Sequence, residues 1–334
     1  MKIAINGFGR IGRAVFKIIL DRIDQGSQFE VVAINDLTPP ETLEYLLKYD
    51  TVYGRFERPT SFDDTHLVVG GKNYTVYSQK DPLQLPWKDL GVDVVIESTG
   101  IFTKSESARS HITAGAKKVL LTAPAKDDGF KTIVLGASDL SDMSSNLISN
   151  ASCTTNNVTP LLKVLNDSFG VEKSMMTTVH AYTATQSLVD SPTVKDMRRG
   201  RAAAQNIVPS STGAAEATSK ALPVMTNKFD GVSLRVPVVC GSISDVTAIL
   251  SKDVTVEEVN NAFLEASKRE YYRNILAFTT QQLVSTDIIK TQYSSIVAGD
   301  LTRVVSGNMV KVMAWYDNEW GYSNRVVDLL NHCK

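Results

Sequence analysis

Lys2-Ile3-Ala4-Ile5-Asn6-Gly7-Phe8-Gly9-Arg10-Ile11-Gly12 is the stretch that decides the fold. Residues 2–5, a lysine followed by three apolar residues, are a strand candidate. They meet a G-x-G-x-x-G, and a helical pattern then runs from residue 10 to about 23. In such a turn the first glycine makes the bend and the second lets backbone approach a pyrophosphate. The third lets helix and strand pack closely, while the helix N-terminus faces the anion. The pattern alone is weak, because glycine-rich turns are common. Here a second strand at residues 30–34 ends in Asn35-Asp36, and Asp36 lies 24 residues beyond Gly12. That is close to the spacing of a carboxylate that grips the ribose hydroxyls of a dinucleotide. The plainer alternative is an ordinary βα turn, with Asp36 capping the loop after it.

Working outward, a helix signal spans residues 40–47, and apolar runs of strand length fall at 92–96, 118–121 and 132–135. Strands alternating with helices predict βαβ units and a parallel, doubly wound α/β sheet. Ser98-Thr99-Gly100 follows the run ending at Glu97, where the carboxyl edge of such a sheet forms a cofactor crevice, although a plain loop of turn formers reads equally well. After about residue 150 the texture changes. A helix at 154–169 ends at Gly170, and longer strands are expected at 174–181, 231–239, 245–250 and 311–316. A further helix is expected at about 257–269. These predict an α+β domain with a large, mostly antiparallel sheet. The expected division is a dinucleotide domain at 1–152 and a catalytic domain at 153–319, with a last helix at about 320–334 returning to the first. Residues 182–206 fit neither period, and a structureless stretch of that length is usually functional.

Composition narrows the function. The 334 residues carry 35 Lys plus Arg against 36 Asp plus Glu, a net charge of −1. Nucleic-acid proteins usually carry a basic excess, so nucleic acid is not expected as the primary partner. The longest apolar run covers only residues 312–316. A membrane span needs about 20, and no signal peptide is expected at the N-terminus. Cys153, Cys240 and Cys333 cannot all pair and form no Cys-x-x-Cys, which suits a reducing cytoplasm.

Ala151-Ser152-Cys153-Thr154-Thr155-Asn156 places a thiol where a helix begins. A helix N-terminus lowers a thiol's pKa from about 8.5, so Cys153 is expected to ionise near or below neutral pH. The alternative is a small buried hydrophobe beside ordinary caps. His180 ends a strand and could serve as the base such a nucleophile needs. His66, His111 and His332 show no comparable polar setting, and nothing has metal-ligand spacing, so no metal is expected. Ser210-Ser211-Thr212-Gly213 reads as a hydroxyl-rich turn suited to phosphate. Arg235 interrupts an apolar strand and calls for an anionic partner. Lys195, Arg198, Arg199 and Arg201 form a basic cluster, equally readable as a solvated face.

Taken together, Asn6 to Arg13, Ala151 to Asn156, His180-Ala181-Tyr182-Thr183, Ser211 to Ala215, Leu234-Arg235-Val236-Pro237 and Trp315 to Glu319 resemble the phosphorylating glyceraldehyde-3-phosphate dehydrogenases over nearly the whole chain. The resemblance implies Cys153 as nucleophile and His180 as its base. It implies NAD as cofactor, held by Gly7, Gly9, Arg10, Ile11, Gly12, Asp36, Lys80, Thr99, Thr122 and Asn318. Ser152, Thr154, Thr183, Arg199, Thr212, Gly213 and Arg235 would hold the phosphate of glyceraldehyde 3-phosphate and the attacking inorganic phosphate. It further implies a cytoplasmic glycolytic homotetramer, with residues 182–206 lining a subunit interface. Two departures stand out. Asn157 replaces the family's usual second cysteine, and Val238-Val239-Cys240 replaces the commoner Thr-Pro-Asn. Two other functions remain open. An erythrose-4-phosphate dehydrogenase would hydrolyse its thioester with water, and a redox-sensing or RNA-binding protein on the same scaffold would not turn over.

Overall fold

A computed structural model, describing residues 1–141, 143–193 and 196–333, places the opening apolar run in the strand Lys2–Asn6. Its neighbours are Val94–Glu97 on one side and Glu30–Asn35 on the other, both parallel to it. The nine-stranded sheet is parallel from Lys131–Thr132 through Leu147–Ser149, Lys118–Leu121 and these three strands to Lys72–Tyr77. His66–Val69 and Thr60–Phe62 extend it antiparallel. The strand order reverses beside Lys2–Asn6, so Asn6 and Glu97 end at the switch point where a doubly wound sheet opens its crevice.

Helix Arg10–Asp24 buries Ala14, Val15, Ile18 and Ile19, a spacing that lays one face on the sheet. The strand expected at residues 132–135 is shorter, ending at Thr132. The N–H groups of Ala137 and Ser138 turn back onto the Val134 carbonyl at 3.1 and 2.9 Å, and Gly136 takes φ +83°. Chain contacts define a first unit of Met1–Ile133, Asp139–Ala151 and Ser323–Lys334. Within it Arg325, fully buried, pairs with Asp328, which also accepts from Arg22 at 3.2 Å.

The second unit comprises Val134–Ser138 and Ser152–Tyr322. Its eight-stranded sheet runs in the order Val208–Ser211, Phe229–Val236, Val171–Ala181, Ser242–Leu250, Met309–Tyr316, Ser295–Ala298 and Leu276–Thr279, with Arg303–Val305 joined to Met309–Tyr316. Among the described residues only two of its pairings are parallel, that of Val171–Ala181 with Phe229–Val236 and that of Leu276–Thr279 with Ser295–Ala298. Val158, Leu161, Leu162 and Leu165 of helix Cys153–Phe169 pack with Met176, Val246, Val312 and Ala314 of the sheet and with Phe263 of helix Val256–Ser267. Side chains alternate along the strands, so the other face leaves Met175, Val232 and Met309 exposed. Strand Val208–Ser211 corrects the reading of residues 210–213. Ser210 and Ser211 are paired in the sheet, and only Thr212-Gly213 form the turn into helix Ala214–Ala221.

Gly7 and Gly12 set the geometry of the first βα turn. Gly7 has φ +89°, and a Cβ there would lie 2.8 Å from the Thr99 amide nitrogen. A Cβ on Gly12 would run into the Gly7 carbonyl oxygen, whereas one on Gly9 meets no protein atom. Gly12→Ala is therefore expected to cost on the order of 1–3 kcal/mol through overpacking. Gly9→Ala should melt near wild type, and matched urea or thermal melts of the two variants compare them. Equal melting would refute the close-packing account of Gly12.

Candidate active site

Ser152 stands at the N-cap of helix Cys153–Phe169, its Oγ accepting the Thr155 N–H at 3.0 Å. This cap fixes Cys153 as the first helical residue, where free N–H groups give the helix end its positive character. Ala151, just upstream, is held at φ 53°, a left-handed conformation uncommon for a residue with a Cβ and one that gathers at functional sites. Thr154 turns inward, and its hydroxyl meets Tyr316 OH at 3.0 Å. Asn157 is buried, with its amide donating to the Ser294 carbonyl at 3.1 Å.

His180 lies on the buried face of its strand, in register with Arg235 on the neighbouring strand. Its Nε2 is 3.4 Å from Cys153 Sγ, and its Nδ1 is 2.6 Å from the Ala181 carbonyl oxygen. The Ala181 carbonyl can only accept, which calls for a proton on Nδ1 and leaves the Nε2 lone pair facing the thiol, whereas Arg235, a donor at the same nitrogen, calls for the other tautomer. Arg235 Nη1 lies 2.8 Å from Nδ1 and 3.1 Å from the same carbonyl, to which it donates. Tyr316 packs edge-on against the imidazole at 5.9 Å, and its OH meets Thr178 Oγ1 at 2.8 Å.

Burial pushes the His180 imidazole down to about 3, and the Arg235 charge acts in the same direction. His180 is therefore neutral at pH 7 and able to accept a proton. Burial pushes the Cys153 thiol up, while the Arg235 charge and hydrogen bonding at Thr154 pull it down. This corrects the expectation from residues 151–156, which counted the helix end and the histidine but not desolvation.

The anion groups cluster unevenly. Arg235 Nε is buried without a partner, as is Ser210 Oγ. Such orphans mark a place that an oxyanion can satisfy. Arg199, in the short helix Met197–Gly200, reaches the Ser211 carbonyl at 3.5 Å, beside Thr212 and Gly213. Arg198 pairs instead with Asp196, and Arg201 with Asp190; Lys195 falls outside the described residues. The Thr183 hydroxyl bonds to Thr185 at 2.9 Å and not to the cluster.

The residues expected at the nucleotide form a second set, all but Asn318 in the first unit. Helix Arg10–Asp24 has no side-chain cap at Gly9, and a Cβ on Gly9 would fill the space before it. Asp36 Oδ2 accepts the Phe8 N–H at 2.7 Å and Oδ1 accepts the Thr38 N–H at 2.9 Å. The carboxylate thus caps its loop and stands at the glycine turn at once. Arg10 pairs with Asp50 at 2.8 Å and covers the Tyr53 ring. Ile11 is half-buried and Lys80 exposed, the latter following Gln79, whose main chain is clamped by Asn35. The Thr122 N–H and hydroxyl both reach the Glu97 carbonyl, at 2.9 and 3.1 Å. Asn318 belongs to the second unit, where its Oδ1 accepts from Gly241 N–H and Ser242 Oγ. Within the first unit, the glycine cradle, the uncapped helix end and the Asp36 carboxylate fit a dinucleotide. One sequence expectation fails here. His111 is fully buried against Glu97, Trp87 and Asn6, a polar setting its helical neighbours do not reveal.

A glycine-cradled helix N-terminus in one unit and a thiol held against an imidazole in the other suit an NAD-dependent dehydrogenase. Family models for the NAD binding domain and the C-terminal domain of glyceraldehyde 3-phosphate dehydrogenase match residues 1–105 and 152–318. The glyceraldehyde-3-phosphate dehydrogenase of Borreliella burgdorferi is 51% identical over 337 residues, covering 98% of each chain. That of Streptomyces coelicolor is 50% identical over 331 residues, covering 98% of this chain and 97% of its own. The chain belongs to the glyceraldehyde-3-phosphate dehydrogenase family.

Alkylation tests the thiol. Cys153 is half-buried, whereas Cys240 and Cys333 are buried and burial pushes Cys333 up to about 11. Iodoacetamide should modify Cys153 first, and equal rates at all three would count against it. Arg235→Gln removes a charge that favours the thiolate, so the pH profile of alkylation should move to higher pH. An unmoved profile would show that Arg235 does not act on the thiol.

Proposed function

We propose that the chain oxidises glyceraldehyde 3-phosphate with NAD and inorganic phosphate, giving 1,3-bisphosphoglycerate. The observation that carries this reading is the 3.4 Å approach of Cys153 Sγ to His180 Nε2 beside the partnerless Arg235 Nε. His180 takes the thiol proton as Sγ attacks the aldehyde carbon, forming a hemithioacetal. The developing oxyanion takes hydrogen bonds from the Cys153 N–H and from Nε2–H of the protonated imidazole. NAD, held by the glycine turn and Asp36, would supply the hydride acceptor, and loss of hydride from the hemithioacetal would leave a thioester on Cys153. Phosphate oxygen then attacks the thioester carbonyl and expels the Cys153 thiolate, so the acyl phosphate keeps the energy of oxidation.

Gly7, Gly9, Arg10, Ile11, Gly12, Asp36, Lys80, Thr99, Thr122 and Asn318 would hold the cofactor. Arg235 with Thr183, and Arg199 with Thr212 and Gly213, supply the two anion positions; Ser152 and Thr154 shape the helix end between them. An anion seated on Arg235 offsets the charge that holds His180 down, so the base strengthens when substrate is in place. A homotetramer is supported by the apolar side chains exposed at Met175, Val232 and Met309 on the sheet and at Leu188, Val189 and Met197 in the irregular segment. Three free thiols suit a cytoplasmic enzyme. Among the described residues no helix is long and apolar enough to cross a membrane.

Turnover of glyceraldehyde 3-phosphate should fall to a small residue when inorganic phosphate is omitted. Phosphate-independent turnover, with erythrose 4-phosphate preferred, would favour the hydrolysing alternative, and no turnover at all a non-catalytic one. Coenzyme choice tests Asp36, whose carboxylate repels a 2′-phosphate. Wild type should prefer NAD strongly, and Asp36→Ala should improve kcat/KM for NADP by roughly tenfold, about 1.4 kcal/mol. An unchanged preference would remove Asp36 from the ribose site.

A further inference from the structure

A row of buried polar side chains crosses the carboxyl ends of the parallel strands in the first unit. Asn35 donates from Nδ2 to the Gln79 carbonyl at 2.9 Å and accepts the Gln79 N–H at 2.9 Å, beside Lys80. The same Nδ2 donates to Asn6 Oδ1 at 2.7 Å, and Asn6 Nδ2 donates to Glu97 Oε2 at 2.5 Å. Trp87 Nε1–H donates to His111 Nδ1 at 3.0 Å, which assigns the imidazole hydrogen to Nε2. That hydrogen points at Glu97 Oε2, 3.1 Å away. Glu97 Oε1 accepts the Thr99 N–H at 2.9 Å and also the Thr99 hydroxyl. Asn6, Glu97, Trp87 and His111 are each no more than 1% exposed.

Strands covered on both faces are ordinarily apolar at such positions, and buried polar groups are costly unless every one is paired. Here the pairs converge on one object, the Ser98–Gly100 turn. Ser98 Oγ donates to the Gly7 carbonyl at 2.6 Å, and the Thr99 N–H is the backbone against which Gly7 packs. We propose that His111 and Glu97 are positioning residues for NAD. The clamp from Trp87 through His111 to Glu97 fixes the Thr99 turn, and the Thr99 turn fixes the glycine loop. The inference rests on the reading of Gly7 to Gly12 and Thr99 as the dinucleotide site.

The test compares His111→Phe, which keeps an aromatic ring, slightly larger, and loses both ring nitrogens, with His111→Gln, which can still accept from Trp87 and donate to Glu97. Calorimetric titration of the enzyme with NAD should give a Kd about tenfold weaker in His111→Phe, the loss of one hydrogen bond to a charged group. In His111→Gln it should stay within about twofold of wild type. KM for NAD should rise in the Phe variant, while KM for the aldehyde and the alkylation rate of Cys153 stay put. Wild-type NAD affinity in His111→Phe, or equal loss in the Phe and Gln variants, would overturn the proposal. Gly7→Ala separates the two levels. If it binds NAD normally, the dinucleotide reading itself fails; if it loses NAD while His111→Phe does not, only the positioning role fails. Should His111→Phe not fold, Trp87→Phe removes the indole N–H together with part of the ring, and matched thermal melts report the packing part of its effect. A weakening of about threefold or more would then support the clamp, and an unchanged Kd would overturn it.

Discussion

The approach of Cys153 Sγ to His180 Nε2 depends on two elements that meet only through packing. A helix end positions the sulfur, a strand end positions the imidazole, and the apolar contacts of Val158, Leu161, Leu162 and Leu165 against the sheet hold them together. Neither group is reactive in isolation. The thiol is raised by burial and the imidazole lowered, so the resting pair is uncharged and cheap to bury. In the proposed mechanism, charge develops when substrate arrives with its own phosphate, in a cluster already carrying Arg235. The site is thus poised by electrostatic compensation between ligand and guanidinium, and not by a standing ion pair.

The same economy governs the other unit. Its first βα turn is held by main-chain contacts so close that two glycines are required, and the carboxylate at the end of the second strand is shared between the turn and its own loop. Rigid backbone is what an anion at a helix N-terminus needs, because N–H groups recognise it only if they do not have to be reorganised.

Much of this was legible in the sequence, for identifiable reasons. The glycine spacing, the strand before it and the carboxylate after it are local, so residues 2–36 could be read directly. The helix at Cys153 and the strand ending in His180 were equally local, although their 3.4 Å contact was not. What escaped is what depends on partners distant in the chain. His111 looks unremarkable among its helical neighbours, yet its partners are Asn6, Trp87 and Glu97. Desolvation of Cys153 arises from the whole second unit, so a motif of six residues could only report the helix end. The serines at 210 and 211 read as a turn because hydroxyl-rich runs favour turns, but pairing with Ser233 and Val232 overrode that preference. At residues 132–135 an apolar run lacked the pairing partner that would have extended the strand.

Asn157 shapes what happens to this enzyme under oxidants. Its amide is locked onto the Ser294 carbonyl in the same helix that carries the nucleophile, and Cys240 is buried against Asp317. A sulfenic acid formed on Cys153 therefore finds no resolving thiol along its own helix. Its rescue falls to mobile thiols that diffuse to the half-exposed sulfur, and in their absence further oxidation to the irreversible sulfinic acid competes. The lifetime of activity during oxidative stress is then set by the supply of small thiols around the protein, a dependence that one amide has transferred from the fold to its surroundings.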